Sequence, residues 1–221
     1  MANLLCYAYY EKSNSFQDLL LAYATLFPEA IRNRWSRYLK HADRLKSILS
    51  KLLVYEGLRE VYPDASPASF PMQYDALGRP FIRVGDFDFN LSHSRDLIAC
   101  AINYEGIVGI DVQCKKDRSS FLRFGQAVKG LTTHADSINI EDWTALEAQV
   151  KCSGKGLRDM DAALTSRKEY ILKSVQIDRD YLCWVASKNQ FLMDVRHFSE
   201  ADLSRSILDQ ISVSTKILQT I

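Results

Sequence analysis

Two short runs of this sequence place oxygen-bearing and cationic side chains at spacings that chemistry can use. In Val108-Gly109-Ile110-Asp111-Val112-Gln113, a single apolar residue separates Asp111 from Gln113. An extended chain turns successive side chains to opposite faces, so the carboxylate and the amide oxygen project together. Oxygen donors of this kind suit a hard cation such as Mg²⁺. An aspartate that merely closes a turn or an ion pair at a strand end has the same spacing. In the second run, Trp143, Glu147 and Lys151 recur every four residues. A step of four on an α-helix rotates by about 40°, so the three share one side. A Glu four before a Lys is commonly a surface ion pair worth roughly a few tenths of a kcal/mol. Here Ser153-Gly154-Lys155-Gly156-Leu157 follows at once and sets a basic, glycine-rich turn at the helix end.

Further cationic and hydroxyl groups precede these runs. His93 lies between Ser92 and Ser94 after the apolar Phe89 and Leu91. It can donate to a phosphate oxygen, with the flanking hydroxyls as extra donors, or it can be a structural histidine. In Gly78-Arg79-Pro80, glycine permits a tight turn and proline keeps Arg79 extended, which presents its guanidinium at a strand entrance. Arg32, Arg34, Arg37, Lys40, Arg44 and Lys46 are dense in one helical stretch. They form a solvated face, or some of them reach phosphates. No nucleophile elbow, Ser-His-Asp triad, P-loop or dinucleotide-binding glycine pattern occurs.

The elements that must position these groups can be read from periodicity. Residues 3–9 predict a strand. Phe16, Leu19, Leu20, Tyr23, Leu26 and Phe27 recur at helical spacing, and Pro28 starts a new helix. Residues 29–60 are predicted mostly helical, with Ile48, Leu49, Leu52, Leu53 and Tyr55 as the buried stripe. Pro63, Pro67 and Pro71 mark a loop that residues 74–80 end. Strands are predicted at 87–91, 97–104 and 107–112, with Glu105-Gly106 as a turn. Helix is predicted at 118–131, a polar loop at 132–140, and helix again at 141–153, stopped by Gly154 and Gly156. Strands near 168–176, 181–187 and 190–197, helix or turn at 199–211 and a last strand at 211–218 complete the chain. Each half holds helix and several strands, so the expected class is α+β, as two similar lobes dividing near residue 105.

The bulk numbers set limits on all of this. A chain of 221 residues, 47% of them hydrophobic, suits one large domain or two packed halves around a real core. Twenty-eight Lys and Arg against 27 Asp and Glu leave a net charge of +1, which argues against bulk binding to nucleic acid. The five cysteines are odd in number and form no C-x-x-C pair, so a reduced cytosol is expected rather than a disulfide framework or zinc knuckle. The first residues lack a basic stretch, and Tyr9, Tyr10 and Glu11 end the apolar run, which reads as a strand rather than a signal peptide. No apolar run approaches the roughly 20 residues that span a bilayer.

Taken in order, G-R-P at 78–80, F-N-L-S-H-S at 89–94, V-G-I-D-V-Q at 108–113 and W-x-x-x-E-x-x-x-K-x-x-G-K-G-L at 143–157 resemble the 4′-phosphopantetheinyl transferases. The nearest type is the larger, monomeric one that serves nonribosomal peptide, polyketide and siderophore synthases. The resemblance implies two similar α/β lobes packed as a pseudo-dimer, each with a small, mostly antiparallel sheet and helices. The N-terminal lobe, 1–105, would contact the phosphates of coenzyme A. The C-terminal lobe, 106–221, would carry the metal site and dock the carrier protein.

The same resemblance assigns roles by position. Asp111 and Glu147 match metal ligands, and Glu147 is also the candidate base. Lys151 matches the lysine on the transferred phosphate. His93 and Ser92 match cofactor-phosphate contacts, Arg79 matches a residue facing coenzyme A, and Arg44 or Lys46 a further contact. Gln113 stands where many relatives have a second metal-binding carboxylate, and a neutral amide would hold Mg²⁺ more weakly or through water. Leu146 stands where many relatives have a lysine, so one phosphate contact would be missing. The implied reaction moves 4′-phosphopantetheine from coenzyme A to a serine of an apo carrier protein, with Mg²⁺, or Mn²⁺ in its place, and releases 3′,5′-ADP. The expected protein is a cytoplasmic monomer with no nucleic-acid or membrane partner. Lys115, Lys116, Arg118, Arg123 and Lys129, interleaved with Phe121, Leu122 and Phe124, would meet an acidic carrier. The alternative is a weak or inactive paralogue that binds coenzyme A or a carrier, made inert by Gln113. A nucleic-acid or generic interaction protein is a third reading, against which the near-neutral charge weighs.

Overall fold

The structure, a computed structural model, describes residues 3–117, 139–154 and 169–219, with side chains of the last stretch to residue 213. The helix expected at 118–131, most of the polar loop after it, and Lys155 and Gly156 lie outside the described residues.

β1 (Asn3–Tyr9) comes first; its first four residues are all buried, and the last three alternate between half-buried and buried. Ser13 caps α1 (Asn14–Ala24), its side chain accepting from the Phe16 N–H. Pro28, at the N-cap, starts α2 (Glu29–Trp35), and α3 (His41–Arg59) follows. The expected stripe Ile48, Leu49, Leu52, Leu53 and Tyr55 is fully buried there. The turn at 75–79 connects two short strands, β2 (Met72–Tyr74) and β3 (Pro80–Ile82), in an antiparallel hairpin. Then come β4 (Asp88–Ser94), β5 (Leu97–Asn103) and β6 (Val108–Cys114). Helix α4 (Ile140–Ser153) begins at Asn139, which forms a capping box with Asp142, and ends at Gly154 in the left-handed conformation, φ 70°. Strands β7 (Ile171–Ser174), β8 (Tyr181–Ser187) and β9 (Met193–His197) precede α5 (Glu200–Gln219).

The class is α+β. One sheet has the order β4-β5-β1-β9 and another β6-β8-β7. All pairings are antiparallel except β1 with β9, which run parallel. Strand β9 thereby adds to the first sheet, and α5 packs on α1. The two ends of the chain are thus interleaved. The strand expected at 211–218 is corrected: α5 runs unbroken to Gln219. Ile211 and Val213 alternate with serines in a strand-like pattern, but Leu203 and Ile207 already commit the segment to a buried helical face, and Ile211 extends that face by one turn.

What positions the site is the seam between the two sheets. Strands β4 and β6 belong to different sheets yet lie side by side, joined by side chains instead of a backbone ladder. Asp88 Oδ2 accepts from the Val108 N–H, Asn90 Oδ1 from Ile110, Ser92 Oγ from Val112 and Ser94 Oγ from Cys114. Every alternate residue of β4 is therefore a short polar one, because its side chain must stand in for a strand's carbonyl. Against the other face of β6 lies α4. Gly109 allows that approach: a Cβ there would sit 2.1 Å from the Ala148 carbonyl oxygen and 2.4 Å from the Cys152 nitrogen.

All five cysteines, Cys6, Cys100, Cys114, Cys152 and Cys183, are buried and free. Among the described residues no helix is long and apolar enough to cross a membrane.

Candidate active site

Asp111 is at the centre of the seam, 1% exposed. Its Oδ1 accepts from the Ser92 hydroxyl at 2.7 Å and from the Lys151 ammonium at 2.6 Å, and its Oδ2 accepts from the Gln113 amide at 3.1 Å. Lys151 also donates to Ser92 Oγ at 3.1 Å and lies 3.8 Å from Glu147 Oε1. Strand β4, strand β6 and helix α4 thus meet at one carboxylate. The period-two and period-four spacings read from the sequence converge on the same point. Trp143, on the same side of α4, is buried, 6% exposed.

The electrostatics follow from two acids sharing one lysine. Burial, then the Asp111 charge, pushes the Glu147 carboxyl up to about 7, while Lys151 pulls the other way. Burial works against the Lys151 ammonium, but Asp111 and then Glu147 outweigh it and raise its pKa, so the lysine stays charged. The cluster carries a surplus of one negative charge when both acids are ionised. That surplus is the observation that fits a cation. The Asp111 and Glu147 carboxylates offer oxygens of the kind that Mg²⁺ or Mn²⁺ takes, whereas Gln113 turns its amide N–H toward Asp111 Oδ2. Among the described residues no group of three His, Cys, Asp or Glu side chains that could hold a metal ion converges.

Beside the cluster opens a cleft of about 460 Å³, walled by Arg34, Lys51, Arg79, Glu147 and Lys151 together with Trp35, Tyr38, Tyr74, Leu77 and Val150. A second arm of about 320 Å³ shares Tyr38, Lys51 and Leu91 with it and reaches Lys46, Ser92 and His93. His93 is exposed in this arm. Desolvation by the surrounding protein, then the Lys151, Lys46 and Lys51 charges, lower its pKa, so it is neutral at pH 7.

The remaining expected residues divide between cleft and scaffold. Ser92 reaches the second arm, but its hydroxyl is committed to Asp111, Val112 and Lys151. Arg79 lines the cleft with its guanidinium already engaged. It donates to the Lys151 carbonyl at 2.8 Å, Asp88 at 2.6 Å, the Val108 carbonyl at 3.0 Å and the Phe89 carbonyl at 3.3 Å. Lys46 donates to the Arg95 carbonyl and pairs with Asp96 at 2.9 Å. Arg44 is half-buried, and its buried Nε has no hydrogen-bond partner among the described residues. Leu146 is 1% exposed, so that position packs into the interior. Lys115 donates to the Arg179 carbonyl and Lys116 pairs with Asp180; both are exposed. Arg118, Phe121, Leu122, Arg123, Phe124 and Lys129 lie outside the described residues.

Sequence reasoning missed Lys51, Asp88 and Gly109. Lys51 had a signal: it interrupts the apolar stripe Ile48-Leu49-Leu52-Leu53 of α3. Asp88 and Gly109 had none, because their partners are 20 and about 40 positions away.

No family model matches the chain. Among curated proteins, the 4′-phosphopantetheinyl transferase HetI of Nostoc sp. (strain PCC 7120 / SAG 25.82 / UTEX 2576) is 30% identical over 170 residues, 68% of this chain and 65% of that protein. The 4′-phosphopantetheinyl transferase gsp of Aneurinibacillus migulanus is 29% identical over 132 residues, 55% of this chain and 53% of that protein. The matched stretches thus span slightly less than two thirds of the first relative and about half of the second.

Proposed function

This chain belongs to the 4′-phosphopantetheinyl transferase superfamily, and we propose that it moves the 4′-phosphopantetheine group of coenzyme A onto a serine of an apo carrier protein, releasing 3′,5′-ADP. The observation that carries this reading is the Asp111–Lys151–Glu147 cluster opening onto a cationic cleft. A polyanionic donor is drawn to such a wall, and a proton acceptor with a pKa near 7 stands at its edge.

In the reaction, the carrier's serine oxygen bonds to the phosphorus that bears pantetheine. The bond from that phosphorus to the bridging oxygen breaks, and its electron pair leaves with 3′,5′-ADP. Glu147 accepts the serine's proton. Lys151 holds charge developing on the phosphate oxygens, and its pairing with Asp111 fixes the ammonium in place. His93, neutral, donates an N–H to a phosphate oxygen from the second arm. Mg²⁺, or Mn²⁺, held by Asp111, Glu147 and Gln113 would neutralise the pyrophosphate and stabilise the departing anion. Gln113 does not titrate, so it binds and orients but takes no proton.

The finer architecture belongs to the same reading. The chain is a pseudo-dimeric monomer of two lobes dividing near residue 105, with β9 and α5 crossing back onto the first; the first lobe grips coenzyme A and the second docks the carrier. Lys115 and Lys116 start the docking surface, and the protein acts in the cytoplasm without nucleic-acid or membrane partners. The decisive experiment incubates the protein with coenzyme A, Mg²⁺ and a panel of apo carriers and weighs the carriers by mass spectrometry. A gain of one phosphopantetheine is expected on at least one carrier. Binding of coenzyme A with no gain on any of them would identify a weak or inactive paralogue and overturn the catalytic reading.

A further inference from the structure

The cations of the cleft are not equally satisfied. Lys151 pairs with Asp111 and Glu147, Arg79 with Asp88, and Lys46 with Asp96. Among the described residues no carboxylate pairs with Lys51 or Arg34. Lys51 is 7% exposed, on the inner face of α3, and lines both arms of the cleft. Among the described residues its ammonium donates to two neutral oxygens, Ser50 Oγ at 3.1 Å and Ser47 Oγ at 3.3 Å. Arg34 stands over the Tyr74 ring, 4.0 Å from its centroid, on the wall of the larger arm. A buried cation without a counter-charge is costly unless something negative arrives. Ser47 and Ser50 solvate it but do not neutralise it.

We propose that Lys51, with Arg34, seats a phosphate group of the donor nucleotide where the two arms of the cleft join. The inference rests on the transferase reading for the identity of that nucleotide, while the charge accounting that motivates it is independent of the reaction. A phosphate there meets buried Lys51 and exposed Arg34, which pair with no carboxylate among the described residues although Asp43 also lines the smaller arm, and it leaves the Asp111–Lys151–Glu147 cluster free for the group that reacts. The groups facing Lys51 agree with this. Burial first, then Arg34, lower its pKa to about 8, with Cys100 on β5 acting weakly the other way. His93 on β4 is itself lowered in part by Lys51. Glu147 and Lys151 face it from α4 across the cleft.

Calorimetric binding of coenzyme A and of 3′,5′-ADP to the full chain tests the proposal. Lys51→Met keeps the length and removes the charge. It should leave the unliganded protein at least as resistant to heat, yet weaken both ligands by at least about tenfold, the value of a charge-assisted hydrogen bond. Lys51→Arg should recover most of the affinity. A second readout uses the unaltered protein. At about pH 8.5 the unliganded lysine is largely neutral and an incoming anion recharges it, so binding should take up protons from buffer. Glu147 and His93 are deprotonated there, and Cys100 and Lys151, both raised, keep their protons. If the unaltered protein binds both ligands and Lys51→Met binds them equally well, or no proton is taken up, the seat is refuted while the transferase reading stands. If the unaltered protein binds neither nucleotide, both fall.

Discussion

The Lys151 ammonium donates to Asp111 Oδ1 at 2.6 Å, on the same oxygen that receives the Ser92 hydroxyl at 2.7 Å. One carboxylate oxygen therefore ties helix α4 and strand β4 to β6. Charge neutralisation and architecture cannot be separated here, and the consequences of altering these residues follow from that coupling.

Replacing Asp111 by Asn should remove transfer and part of the stability together. Activity is expected to fall at least about a hundredfold, the scale for losing one preorganised charged partner. Stability should fall by roughly 1–3 kcal/mol, less than for a wholly buried pair, because the Lys151 side chain is 26% exposed and water can reach it. Carrier mass shifts and denaturant melts measure the two effects.

Glu147 gives a pH signature with opposite signs for rate and stability. Its pKa is raised from 4.5 to about 7 by burial and by Asp111. The folded state therefore holds this proton more tightly than the unfolded chain. Stability from this group is highest below its unfolded value and declines as pH rises from about 4.5 through about 7. Glu147→Gln lifts that penalty, so the variant should melt higher than the parent above pH 7, with the gap closing toward pH 4.5. Transfer by the parent, in which Mg²⁺ on Glu147 would favour the ionised carboxyl, should rise at a pH below about 7, and the variant should show no such limb. Identical melting curves for the two proteins at alkaline pH would exclude the raised value.

Gly109→Ala tests the helix–strand approach. The new methyl would meet backbone, Ala148 O at 2.1 Å and Cys152 N at 2.4 Å, which no side-chain rotation can relieve. Helix α4 must shift, and Glu147 and Lys151 with it. A loss of roughly 1–3 kcal/mol is expected, and a fall in kcat should exceed what the unfolded fraction explains. Thermal melts with parallel kinetics separate these contributions.

Arg79→Lys separates scaffold from ligand contact. A lysine cannot reproduce a fork that serves Lys151, Asp88, Val108 and Phe89 at once. The structure leads to a stability loss of about 1–3 kcal/mol, and to a drop in kcat larger than any rise in the KM for coenzyme A. A variant of full stability with only KM raised would instead make Arg79 chiefly a coenzyme A contact.

Much of the site was legible because its spacing is local. Asp111 and Gln113 share a face by the two-residue period of a strand, and Glu147 and Lys151 by the four-residue step of a helix. Gly154 ends that helix as its sequence predicts, whereas the Asn139 cap that starts it falls in what reads as a polar loop and emerges in the structure. The C-terminal segment shows where local reading gives out. Its alternating Ile211 and Val213 suggest a strand, but the helical face begun at Leu203 and Ile207 holds the segment as α5.

The order of motifs, the acid–amide pair, the acid–lysine pair and the family they resemble were fixed by the sequence alone, since each depends on neighbours within a few residues. Tertiary packing alone decided that Asp88, Asn90, Ser92 and Ser94 are the seam of two sheets, that Arg79 is a clamp, and that Lys51 is buried with no paired carboxylate among the described residues. Those facts depend on partners many positions away, and which charges end up buried together is settled only when the strands and helices close on one another.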